Sequence, residues 1–360
     1  MGRTVRQSLQ QYSRVVSVLV IAVGCATCGD RESAPRASDT LGGAPSPAAA
    51  TAQAGRWEVR PLENAPPRFR PKAWSDEDVL WGLVGGRITR LDTRTGDTRT
   101  LGANGWWVRG APEVIAWQNE NGTSWMRDGG TPARLVGAGG DSARAGDGPS
   151  VLLSNDGRRA LLGWRLEWDA VYDLVEAGGS ARRVETRIPG YFGNDAVLWL
   201  DSTRVLFHTV ANGPIGGEPT YRESGWRGDL AVLDLRANSY TRVTGVPDFT
   251  YLRVAGPYLG QVLVTERDTS GVRGHWLYDP RTWERRTIEL PRGRAFSATG
   301  GGIVVFLDSP SDTTEAVLVA SGVTTQLGHV ARDEEPSFTP SGRRGALHTA
   351  NGVILFERRP

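Results

Sequence analysis

Short apolar runs recur through the last three hundred residues: VLWGLV from Val79, VIAW from Val114, ALLGW from Ala160, VLFHTV from Val205, QVLVTE from Gln261, GIVVFLD from Gly302 and GALHTA from Gly345. With Val79, Val114, Ala160, Val205, Val262, Ile303 and Ala346 as equivalents, the spacings are 35, 46, 45, 57, 41 and 43 residues. A run this short predicts a strand. After the runs come strand–polar turn–strand segments: LDTRTGDTRTL from Leu91, LDLRANSYTRV from Leu233 and YDPRTWERRTI from Tyr278, with weaker versions at Met126, Leu174 and Val319. Each reads as a hairpin.

A period of about 40 to 45 residues with four strands in each unit predicts an all-β, seven-bladed β-propeller, with a six-bladed ring as the alternative count. The last unit supplies three strands before Pro360, so Trp57-Glu58-Val59-Arg60 is expected to add the fourth and close the ring. Glu335-Pro336-Ser337-Phe338-Thr339-Pro340-Ser341-Gly342-Arg343-Arg344 then resembles the repeat of TolB-like propellers. Pro149-Ser150 with Ser154-Asn155-Asp156-Gly157-Arg158-Arg159 is a second copy, and the period is WD-repeat-like. In such a motif Asp caps a tight turn and Gly takes a positive φ. Ser341 in place of Asp, Ser75-Asp76-Glu77-Asp78 in the first unit and Asp201-Ser202-Thr203-Arg204 in the fourth depart from it. The resemblance implies the fold, and leaves the partner docking of TolB itself uninherited.

The 46 Gly and 21 Pro among 360 residues fit frequent turns and exclude a helical bundle. Residues 1–24 read as a signal peptide: Arg3, Arg6 and Arg14 precede the apolar run Val15 to Val23. Nine residues are too few to span a bilayer. Ala22-Val23-Gly24-Cys25 resembles the bacterial lipobox, which implies lipidation of Cys25. Residues 25–55 are rich in Ala, Pro, Ser and Gly and carry too little apolar area to fold, so they read as a flexible tether. The propeller occupies 56–360. Loss of the leader's arginines takes the formal charge from +2 to about −1, so no nucleic-acid partner is expected and the membrane enters through the lipid anchor only. A monomer in the periplasm or on the cell surface, anchored to the outer membrane, is the expectation.

No nucleophile elbow, S-x-x-K, Walker loop, H-E-x-x-H or EF-hand loop occurs, and the last unit leaves no room for a peptidase domain, so no catalytic residue, metal or cofactor is assigned. Ligands of propellers usually meet the face bearing the second-to-third-strand and blade-to-blade connections, or the channel. On that face the long segment from Ala211 to Gly228 directs attention to Arg165, Glu167, Trp168, Arg222, Glu223 and Trp226 as contact residues. His208 and His348 occupy matching places and could bind a metal only with a carboxylate such as Glu223 or Asp169; strand ends satisfied by neighbouring loops are the simpler reading. Most of the 13 Trp are expected to pack between blades, with Trp168 and Trp226 the best exceptions; exposed coplanar Trp faces would favour a sugar, and burial of Trp106, Trp107, Trp168 and Trp226 would count against one. Asp92, Asp234 and Asp279 read as turn caps.

The sequence therefore predicts a non-catalytic binding or scaffolding module for an envelope protein or glycan. The alternatives are a carbohydrate-binding module and a propeller enzyme of the metal-dependent lyase, lactonase or glycosidase class. A channel mouth lined by Gly, Ser and apolar side chains would exclude the enzyme. For the anchor, Cys25→Ser is expected to move the protein from the membrane to the soluble fraction; unchanged partition would reject lipidation there.

Overall fold

The structure is a computed structural model. It describes residues 56–120, 122–138, 150–165, 169–176, 179–184, 188–189, 196–211, 227–247 and 250–359. The leader, Cys25 and the tether lie outside the described residues. Every regular element among the described residues is a strand, and none is a helix long and apolar enough to cross a membrane.

The apolar runs become strands buried on both faces, because alternate side chains enter two different cores. In Ile303–Leu307, Ile303 and Val305 pack with Leu263 and Leu277 of the preceding sheet. Val304 and Phe306 instead pack with Leu347 and Phe356 of the following one. Trp81 and Ile88 likewise join Ile115 and Trp117, whereas Leu80 and Leu91 join Ala346 and Leu355. Each core thus glues one sheet to the next, and a fully buried Leu or Val contributes about 1.5–3 kcal/mol.

Hydrogen bonding places the strands in antiparallel meanders. The first is Arg70–Trp74, Val79–Val84, Arg87–Asp92 and Thr98–Asn104, and the second is Trp107–Ala111, Val114–Asn119, Gly122–Arg127 and Ala133–Arg134. Next come Ser150–Leu153, Arg159–Arg165, Asp169–Glu176 and Ala181–Arg183, with Ile188–Pro189 added beside the third strand. An eight-stranded sheet follows, in which Ala196–Trp199, Arg204–Ala211, Arg227–Asp234 and Ser239–Arg242 join Tyr251–Tyr258, Gln261–Asp268, Gly271–Tyr278 and Arg285–Ile288. The two halves meet at a single parallel bridge, Gly228 to Tyr251. A Cβ on Gly228 would stand 2.1 Å from the Tyr251 ring, so only glycine allows the approach. Gly293–Ser297, Ile303–Leu307, Thr313–Ala320 and Val323–Ala331 form the next sheet.

The last sheet takes its outer strand from the other end of the propeller: Trp57–Pro61 pairs with Gly352–Arg358, followed by Arg344–Thr349 and Ser337–Phe338. First strands of successive sheets lie side by side from Arg70–Trp74 to Gly293–Ser297, Val323–Ala331 lies against Arg344–Thr349, and Ser337–Phe338 lies against Arg70–Trp74. This is a closed β-propeller. All the equivalents from Val79 to Ala346 fall in second strands, as the periodicity implies.

The turn residues act as expected. Asp92 Oδ1 accepts hydrogen bonds from the amides of Arg94 and Thr95 at 3.0 and 2.9 Å, and Asp234 Oδ1 from those of Arg236 and Ala237, both at 2.8 Å. Asp279 caps the amide of Arg281 at 2.7 Å. In the TolB-like turns Gly157 and Gly342 both have φ of +66°, and Ser341 Oγ replaces the Asp cap by accepting from the Arg343 amide at 3.1 Å. The departures in the first and last units meet at the ring's seam. The Ser341 amide donates to Glu77 Oε1 at 3.1 Å, and Arg344 reaches Asp78 Oδ1 at 2.6 Å. The unusual residues therefore join the last sheet to the first.

Candidate functional site

In each meander the start of the first strand lies at the same end as the finish of the second, where the second-to-third-strand connection begins. Arg253 and Arg294 stand near the starts of two first strands and Lys72 and Arg109 at the middle of two others, with Arg70 opening the same strand as Lys72. Glu334 and Glu335 lie just before the first strand of the last sheet, and His348 stands one residue from the end of its second. Ring closure brings these groups together.

Glu334 is 2% exposed, and a carboxylate so buried must be paired. The chain's only lysine, Lys72, donates to its Oε2 at 3.4 Å. Arg70 Nε and His348 Nδ1 stand 3.6 and 3.5 Å from its Oε1. Glu335 is 43% exposed and faces three guanidinium groups: Arg294 donates to it directly, Arg253 Nη2 stands at 3.7 Å and Arg109 Nη2 at 4.0 Å. Five permanent cations thus surround two carboxylates.

The surroundings sharpen this imbalance. Burial, with Arg253 close by, pushes the Arg294 guanidinium down to about 10. Burial also lowers that of Arg253, although Glu335 opposes the shift. Arg294 Nη1 donates to the Arg332 carbonyl at 3.3 Å, while its Nε is buried without a hydrogen-bond partner. Phe296 packs against both arginines, with the Cζ atoms of Arg294 and Arg253 4.5 and 5.6 Å from its centroid, and Arg109 covers Trp107 at 5.2 Å. Such contacts favour cations packed against apolar faces. Trp106, beside this strand, is 59% exposed.

The sequence-predicted contact residues receive a different outcome. Glu167, Trp168, Arg222, Glu223 and Trp226 lie outside the described residues, as does the side chain of Arg165, whose backbone ends the strand Arg159–Arg165. Ala211 and Arg227, which flank the long segment, pair with each other. His208 is occupied: its Nε2 accepts from the Val254 amide at 2.9 Å and its Nδ1 lies 3.4 Å from the Tyr251 hydroxyl. Among the described residues no three His, Cys, Asp or Glu side chains form a metal-holding group. Trp74, Trp81, Trp117 and Trp199 are buried between sheets. Sequence reasoning missed the axial cations because each is a lone residue on a first strand, whereas the alignment was anchored on second strands. The lone lysine was the available signal.

No protein-family model matches the chain, and no curated protein matches it. Among solved structures, an oligogalacturonate lyase in complex with manganese is similar with a TM-score of 0.57 at 12% identity, over 85% of this chain and 98% of that one. An oligogalacturonate lyase from Vibrio parahaemolyticus gives 0.56 at 9% identity, over 84% and 97%. TolB from Acinetobacter baumannii gives 0.47 at 12% identity, over 84% and 79%. The likeness to the lyases is one of fold.

The half-buried His208 generates a pH prediction. Desolvation, with Arg253 nearby, pushes its imidazole down to about 4, against about 6.5 when unfolded. Between those values the unfolded chain binds more protons, so this stability is fully present above about pH 6.5 and lost as the pH falls to about 4. Burial lowers His275 as well. Denaturant unfolding at pH 7 and pH 5 is expected to show a smaller pH difference for His208→Gln than for the parent; an equal difference would place the histidine in solvent.

Proposed function

We propose that this chain is a seven-bladed binding propeller of the cell envelope that holds an acidic glycan at its axial mouth. The seven count treats the eight-stranded sheet as two blades, since one parallel bridge joins its halves whereas full antiparallel ladders run within each half. The six-bladed alternative would make that sheet one blade of twice the width. The TolB-like turns support the placement in the periplasm, and the lipobox-like residues at Cys25 support anchoring to the outer membrane.

The observation that carries the reading is the convergence of Arg70, Lys72, Arg109, Arg253 and Arg294 on two carboxylates. Guanidinium groups packed in a partly dry mouth recognise carboxylates strongly, because each can donate two parallel hydrogen bonds. Exposed Trp106 beside that mouth offers an apolar face for a sugar ring, which favours a glycan over an acidic protein segment. The mouth lies on the face that carries the connections after Arg165 and Ala211, so Arg165, Glu167, Trp168, Arg222, Glu223 and Trp226 would extend the contact. Solved propellers of similar fold include oligogalacturonate lyases, so an acidic sugar polymer has a precedent on this architecture.

The enzymatic alternative uses the same mouth. It is favoured by the charged lining, where apolar side chains would have excluded it, but no catalytic acid or base is assigned.

Calorimetric titration with a galacturonate trimer and with a neutral galactose trimer tests the proposal. The acidic trimer is expected to bind, more weakly as salt rises, and Arg294→Ala to reduce affinity about tenfold or more. Equal binding of both sugars, or of neither, would overturn the reading. Release of shorter sugars in the same cell would replace binding by catalysis.

A further inference from the structure

Resting on that reading, we propose that Glu335 is a built-in stand-in for the ligand: Arg109, Arg253 and Arg294 form a carboxylate seat, and an incoming carboxylate displaces Glu335 from it.

Three features of the cluster support a seat over a structural ion pair. Its arginines come from three different first strands, Trp107–Ala111, Tyr251–Tyr258 and Gly293–Ser297, so their positions are fixed by the ring rather than by one another. The two carboxylates differ in accessibility. Glu334 is anchored by Lys72, whereas Glu335 is 43% exposed on the connector between Val323–Ala331 and Ser337–Phe338. One carboxylate also leaves the donors underused. Arg109 and Arg253 reach Glu335 only at 4.0 and 3.7 Å, beyond hydrogen-bonding distance, and Arg294 Nε has no hydrogen-bond partner. A ligand carboxylate placed between Arg109 and Arg253 would take bidentate bonds that Glu335 cannot make from its side of the mouth.

Internal occupancy also explains how the seat persists without a ligand. Guanidinium groups crowded around Phe296 would repel one another if no anion were present. Glu335 supplies that anion, and its exchange for a ligand carboxylate leaves the local charge unchanged. The chemistry is shared by a uronate and by the acidic end of a peptide, and the probes below separate the two.

Glu335→Gln removes the competing charge at nearly constant shape, and Glu335→Ala opens the space. The galacturonate trimer is expected to bind Glu335→Gln about tenfold tighter than the parent, the weight of one charge-assisted hydrogen bond. Propionate, a small carboxylate able to enter the vacated space, is expected to raise the melting temperature of Glu335→Ala more than that of the parent. Equal trimer affinity together with an equal propionate response would overturn the stand-in. If the parent binds the trimer and neither variant departs from it, the glycan reading survives and the stand-in falls. If propionate rescues Glu335→Ala while the trimer binds neither protein, the stand-in holds and the glycan reading falls. Tight binding of a triglutamate peptide in place of the trimer would keep the seat and assign it to acidic peptides.

Discussion

Everything at the axial mouth depends on the pairing of Trp57–Pro61 with Gly352–Arg358. That pairing turns a linear series of meanders into a ring, and it holds the last sheet against the first. Lys72 and Arg70 meet Glu334 only because of it, since the partners stand 262 residues apart in the Lys72 bond. The same seam is reinforced at the opposite end by Arg344, Asp78 and Glu77. Closure also supplies the remaining face of the core that contains Leu62, Phe69, Trp74 and Leu355. The energetic logic is that of a sheet with no exposed edge left at its junction.

Within that ring the first strands play a different role from the others. Second strands bury both faces in the inter-sheet cores, so their middles are continuous apolar runs. First strands border the axis, where side chains such as Lys72, Arg109, Arg253 and Arg294 can be charged without entering a core. A carboxylate pair from one connector then compensates them in part. The buried member, Glu334, fixes the connector through Lys72, and the exposed member, Glu335, remains available to exchange. A structural charge and an exchangeable one are thus set side by side by a difference in burial.

The sequence made much of the architecture legible because its signals were local. Continuous apolar runs marked second strands, Asp92, Asp234 and Asp279 marked hairpin turns, and the shortage of one strand after Gly352 pointed to Trp57. The axial site was not legible, since its members are single residues brought together by closure, and a lone Arg in a chain rich in arginine carries no pattern. Lys72 was the exception that composition offered. Of the residues selected from loop length, Arg165 ends a second strand at the mouth's end by topology, while its side chain and Glu167, Trp168, Arg222, Glu223 and Trp226 lie outside the described residues.

Because Lys72 is the only lysine, its amine reports on the mouth without mutation. Mass-spectrometric measurement of its acylation by an amine-reactive ester, with and without galacturonate trimer, tests the central claim directly. An acidic ligand seated at the axis is expected to slow modification of Lys72 while a neutral trimer leaves the rate unchanged. Equal rates under all three conditions would contradict an acidic-ligand site at the centre of the propeller.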